Sequence, residues 1–193
     1  MNGILKNKKA LSTVVTTLII LVVAVLLATV VTYYAINITT TRLESEDLKI
    51  TKHHIWTNSS EAQAAFVLTN VGGRDVLLDK ITVRDQEANW SDVYYWFAGF
   101  AISADLAYDP RINQTIPNAG EAFSINWNET GPAEDFTEAP NDIAVPSGST
   151  LIIYVRSPDH IGVSDIGVTT RITIHSANAM YSKECNVEYI TTP

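Results

Sequence analysis

Two hydrophobic regimes divide the chain. Residues 10–41 contain no Asp, Glu, Lys, Arg, His, Gly or Pro, and residues 11–38 are mainly Leu, Ile, Val, Ala and Thr. No polar face interrupts this run at helical spacing. It predicts a helix that is apolar all round, suited to lipid or to contact with other helices. A bilayer core needs roughly 20 apolar residues. A helix continued from 11 to 48 would be about 57 Å long, well beyond that need. After Leu48 the period drops toward two. Ile50, Ile55 and Trp56 predict a first strand, residues 64–68 a second and 76–83 a third. The glycines of Asn70-Val71-Gly72-Gly73 supply the turn between the second and third. Further strands are expected at 121–127, 149–155, 168–174 and 180–190, the last two as an antiparallel hairpin, with a loop over 128–142. The fold class is therefore α+β: a long N-terminal hydrophobic α-helix, then an antiparallel Ig-like β-sandwich of roughly seven to nine strands.

Charge orients this plan. The net charge is −8, but Lys6, Lys8 and Lys9 precede the apolar run, and the rest of the chain carries 10 Lys+Arg against 21 Asp+Glu. A basic tip before the span and an acidic body after it fit an N-terminus in the cytoplasm and a body outside. An acidic body without a Lys/Arg patch argues against nucleic-acid binding. Cys185 is the only cysteine, so no intrachain disulfide forms, and its place in the expected final strand suits a small core residue.

The start of the apolar run decides what kind of signal it is. A secretory signal has an apolar region of roughly 7–15 residues followed by a small-x-small cleavage site. Here the run is longer, and Tyr33-Tyr34-Ala35 near its end puts a ring where a small residue is needed. Thr13, Thr16, Thr17, Thr29 and Thr32 can return their hydroxyls to carbonyls one turn back. Ala24, Ala28 and Ala35 allow close helix approach. Tyr33 and Tyr34 suit an interfacial belt or a helix seam. Lys8-Lys9-Ala10 followed by Leu11-Ser12-Thr13-Val14-Val15 resembles the class III signal of archaeal type IV pilins and archaellins. The resemblance covers about residues 6–50. It implies that a prepilin-type peptidase cuts between Ala10 and Leu11, removing 1–10 and keeping the helix. Bacterial type IV pilins place a Glu at mature position five. That position here is Val15, as in the archaeal pattern.

The resemblance further implies a polymerisation and transmembrane helix over 11–48 and an extracellular, archaellin-like β-sandwich over 49–193. The chain would be membrane-inserted before assembly, then a homo-oligomeric helical filament at the cell surface, handled by the pilus assembly machinery. Adhesion is preferred over swimming motility. The rival is an uncleaved signal anchor carrying a single-pass extracellular binding domain.

Five N-x-S/T sequons, at Asn37, Asn58, Asn89, Asn113 and Asn128, suggest a glycosylated surface. Asn37 lies on the helix itself. Residues 90–112 gather Trp90, Tyr94, Tyr95, Trp96, Phe97, Phe100 and Tyr108, read as an inserted hairpin completing the core, as a subunit contact, or as an adhesive or sugar-binding surface. His53 and His54 are adjacent on a strand and point to opposite faces, so they cannot chelate one metal without a bulge. The acidic 128–142 loop lacks the D-x-D-x-D-G spacing of a Ca²⁺ loop. No G-x-S-x-G, H-E-x-x-H, Walker or C-x-x-C motif is present. Ser157, Asp159 and His160 share a loop without a placed nucleophile. The expectation is a non-enzyme with no cofactor and no metal.

Overall fold

The computed structural model describes residues 4–43, 45–113, 123–128 and 131–190. The chain divides into two compact units, residues 1–44 and 45–193. The first contains α1 (Ile4–Leu43), 40 residues long. Within it, residues 12–41 form a 30-residue stretch of mean hydropathy 3.1, none of whose most apolar window is buried. Thr16, Thr29, Thr32, Thr39, Thr40 and Thr41 each donate their hydroxyl to the carbonyl four residues back, and Thr17 donates to Val14. A helix rich in threonine thereby leaves few unsatisfied polar groups along an apolar path. The helix stops at Leu43 instead of continuing to Leu48. Ser45 and Asp47 instead give their carbonyls to N–H groups of the 71–73 turn.

The second unit is one large sheet. Its strands are β1 (Leu48–Thr57), β2 (Ala62–Asn70), β3 (Val76–Val83), β4 (Gln86–Glu87), β5 (Val93–Ala98), β6 (Phe123–Ile125), β7 (Glu134–Glu138), β8 (Ile143–Val145), β9 (Thr150–Arg156), β10 (Thr169–Ser176) and β11 (Met180–Tyr189). They pair in the order β4-β3-β10-β11-β1-β2-β9-β5-β7-β6, with β8 added to β3. All of these pairings are antiparallel except that of β1 with β11. The architecture is thus an apolar helix followed by a mostly antiparallel sheet. Its strands join in one continuous path, where the sequence suggested a sandwich.

Two apolar clusters lie on the sheet's two faces. The larger holds Leu48, Ile50, Ile55, Phe66, Leu68, Leu78, Ile81, Ile153 and Ile174 among others. The smaller holds Trp56, Val67, Tyr94, Leu106, Ile112, Phe136, Ile152 and Tyr154. Alternation along β9 sends Leu151, Ile153 and Val155 to the first and Ile152 and Tyr154 to the second. In β1, Ile50 and Ile55 would face opposite ways under strict alternation. A bulge between Thr51 and His54, with Lys52 at φ 48°, shifts the register against β2 and returns Ile55 to the Ile50 face. A second register shift, between β3 and β10, does the same for Leu78 and Ile81.

The strands differ from the expected set in three further places. The 128–142 stretch is not a plain loop, because β7 runs through it. Only Phe136 of that strand is fully buried, and its neighbours are acidic or polar, so the hydrophobic pattern did not reveal it. The aromatic segment is not an inserted hairpin, since β5 pairs with β9 on one side and β7 on the other. The strands β4 and β8, two and three residues long, were too short to announce themselves.

Candidate functional site

The proposed processing residues Lys8, Lys9, Ala10 and Leu11 lie on α1, whose backbone is helical from Ile4 onward. Their side chains fall outside the described residues. Downstream on the same helix, Val25, Ala28, Thr29, Thr32, Tyr33 and Ile36 line a shallow apolar groove. Tyr33 and Tyr34 are 66% and 62% exposed and meet edge to face, with ring centroids 6.2 Å apart.

The five sequon asparagines have different surroundings. Asn89 is exposed, in extended backbone just before a short turn at Trp90–Asp92, and makes no capping bond with its side chain. Asn58 is half-buried. Its Oδ1 accepts from the N–H groups of Ser60 (2.8 Å) and Glu61 (2.7 Å), a tight turn that leaves the amide nitrogen outside those bonds. Asn113 differs: its Nδ2 donates to Glu61 Oε2 at 3.0 Å, and its Oδ1 is buried. A sugar on that nitrogen would replace one N–H and crowd Glu61. Asn128 Oδ1 accepts from Gly131 N–H at 2.7 Å. Asn37 is exposed on α1, and the hydroxyl of its partner Thr39 is donated to Ala35.

The aromatic segment and the irregular stretch after it, 99–113, cover one face of the sheet. Trp96, Ile102, Leu106, Tyr108 and Ile112 pack into the smaller cluster. Phe97 and Phe100 remain 40% and 57% exposed. Polar bonds pin the stretch to the strands. Gln63, fully buried, donates to Asp109 O (3.1 Å) and accepts from Asp109 N–H (3.2 Å). Tyr154 donates its hydroxyl to Ala107 O at 2.7 Å. Tyr108 donates to Glu61 Oε2 at 2.6 Å, and burial together with that carboxylate pushes its phenol up to about 12. Burial pushes the Asp109 carboxyl up, but the Arg111 guanidinium and the N–H groups of Arg111 and Asn126 outweigh it and hold the group below the usual carboxylate range. Sequence reading did not single out Gln63, which stands in no motif and whose partner lies 46 positions away, nor did it show that Asp109 would bond Arg111 and Asn126.

His53 and His54 do not converge. His53 Nε2 meets Glu184 O at 2.9 Å. His54 sits between Asp105 (3.0 Å) and Glu188 (3.2 Å) and stacks on Trp56. Among the described residues, no group of three or more His, Cys, Asp or Glu side chains is arranged to hold a metal. Cys185 is half-buried against the larger cluster, and burial, with Glu188 nearby, pushes its thiol up to about 11, so little thiolate is present at neutral pH. No hydrogen bond joins Ser157 to the ring of His160. The carbonyl of His160 instead accepts from Arg84, which also pairs with Asp165 at 2.8 Å. No family model matches the chain, and no curated protein matches it.

Proposed function

We propose that the chain is the structural subunit of an archaeal type IV pilus-like extracellular filament, serving surface adhesion. The observation that carries the reading is the 30-residue stretch 12–41, with mean hydropathy 3.1 and its most apolar window entirely unburied, joined directly to a self-contained sheet unit. Such a helix needs an apolar environment, lipid or other helices. The Lys8-Lys9-Ala10-Leu11 sequence supports removal of residues 1–10, with the helix then moving from lipid to contact with its own copies. Apolar helices associate by close packing, aided here by Ala24, Ala28 and the back-bonded threonines. A head-to-tail contact that does not close gives a filament. The sheet unit, read as an archaellin-like sandwich curled around its larger cluster, is the exposed, glycan-bearing part. No catalytic activity, cofactor or metal enters this reading.

Mass spectrometry of the native N-terminus tests it: Leu11 is expected, and an intact Met1 on the cell-surface protein would overturn it. Electron micrographs of sheared surface filaments, with subunit identification, test the assembly itself.

A second reading has one observation in its favour. Helix α1 runs unbroken through the Ala10–Leu11 bond. Peptidases act on extended bonds, so an uncleaved, single-pass membrane anchor holding an extracellular binding domain suits that conformation. The same N-terminal measurement separates the two.

A further inference from the structure

Strand β1 follows the stem directly, and its entry is locked before its first residue. Ser45 O accepts from Gly73 N–H at 3.2 Å, and Asp47 O accepts from Val71 N–H at 2.9 Å and Gly72 N–H at 3.1 Å. Between them Glu46, its side chain only 9% exposed, accepts from Ser176 Oγ at 3.0 Å and from Asn178 Nδ2, with Arg74 Nε 3.7 Å away. Gly72 makes this approach possible. A Cβ there would lie 2.6 Å from Ser45 O and 2.7 Å from Asp47 N, closer than packed atoms come.

Beyond the lock, β1 is paired on both sides. Antiparallel β2 holds it from Leu48↔Asn70 to Thr57↔Ala62, and parallel β11 holds its far end from Ile55↔Val187 to Thr57↔Tyr189. Ile190 N–H then closes onto Thr57 O at 3.1 Å. Because β1 and β11 are parallel neighbours, the point where the stem enters and the point where β11 ends lie at opposite ends of two adjacent strands. A pull separating those points runs along the strands. Ladder bonds cross between strands, so this pull strains many of them together instead of one after another.

We propose that β1 and the Glu46 lock form a mechanical clamp, in which tension reaching Ser45 through the stem is shared across the β1–β2 and β1–β11 ladders. The clamp does not depend on the filament reading. A bilayer anchor delivers its pull at the same residue.

Single-molecule force spectroscopy on the full chain in detergent micelles tests this, with Cys185→Ala to leave a single attachment chemistry. One construction carries handles at the two chain ends. A second carries handles at the N-terminus and at Val71→Cys, an exposed position beside Asp47. That geometry peels β1 from β2 starting at Leu48↔Asn70. Rupture force follows the unfolding barrier along the pulled direction. The expected result is a severalfold higher rupture force for the end-to-end pull. Equal forces, or a weaker end-to-end pull, would overturn the clamp. Should Val71→Cys disturb folding, Met180→Cys, exposed at the start of β11, level with Leu48 and outside the lock, supplies a handle at the same end of the sheet, and the same comparison decides.

Discussion

Strands β9 and β11 occupy similar places in the sheet, each with neighbours on both sides, but they end up in different surroundings. β9 buries five successive residues, Leu151 to Val155, all at 0% exposure, whereas β11 fully buries only Val187. Hydrogen bonding does not separate them, since both belong to extended ladders. The difference lies outside the sheet. Over β2, β9 and β5 the stretch 99–113 lays Leu106, Tyr108 and Ile112 onto Val67, Ile152 and Tyr154. Over β10 and β11 the outer face carries the exposed Arg171, Ser182 and Glu184, and no second cluster forms there among the described residues. A strand with two dry faces is therefore made by a loop, and that loop is held by the polar pins Gln63, Asp109 and Tyr154.

The sharpest way to break this comparison is to hollow the covered face. Ile152→Ala, on the outer face of β9, is expected to cost about 3 kcal/mol through lost burial and a residual cavity. Urea unfolding of the full chain in detergent micelles measures it. A loss below about 1 kcal/mol would mean that the 99–113 cover contributes little packing.

Next in size are the pins. Asp109→Asn is expected to cost about 2 kcal/mol, since it leaves the Arg111 guanidinium and the Asn126 N–H short of a charged acceptor. The acid limb gives an independent readout. The Asp109 carboxyl is held below its ordinary range in the folded chain. Its contribution is therefore complete above the unfolded carboxyl value and disappears as pH falls through the lowered one. Stability of the wild type should drop across that acid window more steeply than stability of the variant. Parallel acid limbs would remove the Asp109 carboxylate from the set of pins.

These residues also mark where sequence reading succeeded and where it ran out. The S-T-L-I-I-Y-V run at 149–155 reads as a buried strand because unbroken apolar residues leave no face for water, and β9 is that strand. The 180–190 hairpin with 168–174 was legible from alternation and appears as β10 and β11. The apolar stem was legible from composition alone. Strand β7 was hidden by its acidic residues, and the two bulges were hidden because a one-residue shift has no signature in composition. Gln63 was invisible for a related reason: its bonds to the Asp109 backbone span 46 positions, and nothing local distinguishes it from any Gln in a strand. Two sequons, Asn89 and Asn113, look alike in sequence, yet one stands exposed and the other donates its amide to Glu61.

A smaller effect isolates one pin from packing. Tyr154→Phe keeps the ring in the smaller cluster but removes the donor to Ala107 O. One buried carbonyl then loses its partner, at an expected cost of about 1 kcal/mol. Hydrogen exchange should show the loss locally: amides of 105–109 exchange faster, while those of β10 keep their rates. Uniform acceleration across the sheet would mean that the cover is not a separable layer.

The smallest expected effect falls on the open face. Arg171 projects from β10 on the side opposite Ile172, its side chain is 53% exposed, and its nearest acid, Asp85, lies 3.8 Å away with its side chain 72% exposed. An ion pair so well solvated contributes about 0.5 kcal/mol or less. Arg171→Ala should therefore leave the urea midpoint nearly unchanged, and the small difference should shrink further as salt is raised. The same position on the covered face would not behave this way, because Ile152 has no solvent to fall back on. A loss near that of Ile152→Ala would mean that the outer face of β10 and β11 is covered in solution by something other than this sheet unit, and the contrast between β9 and β11 would then belong to the isolated chain alone.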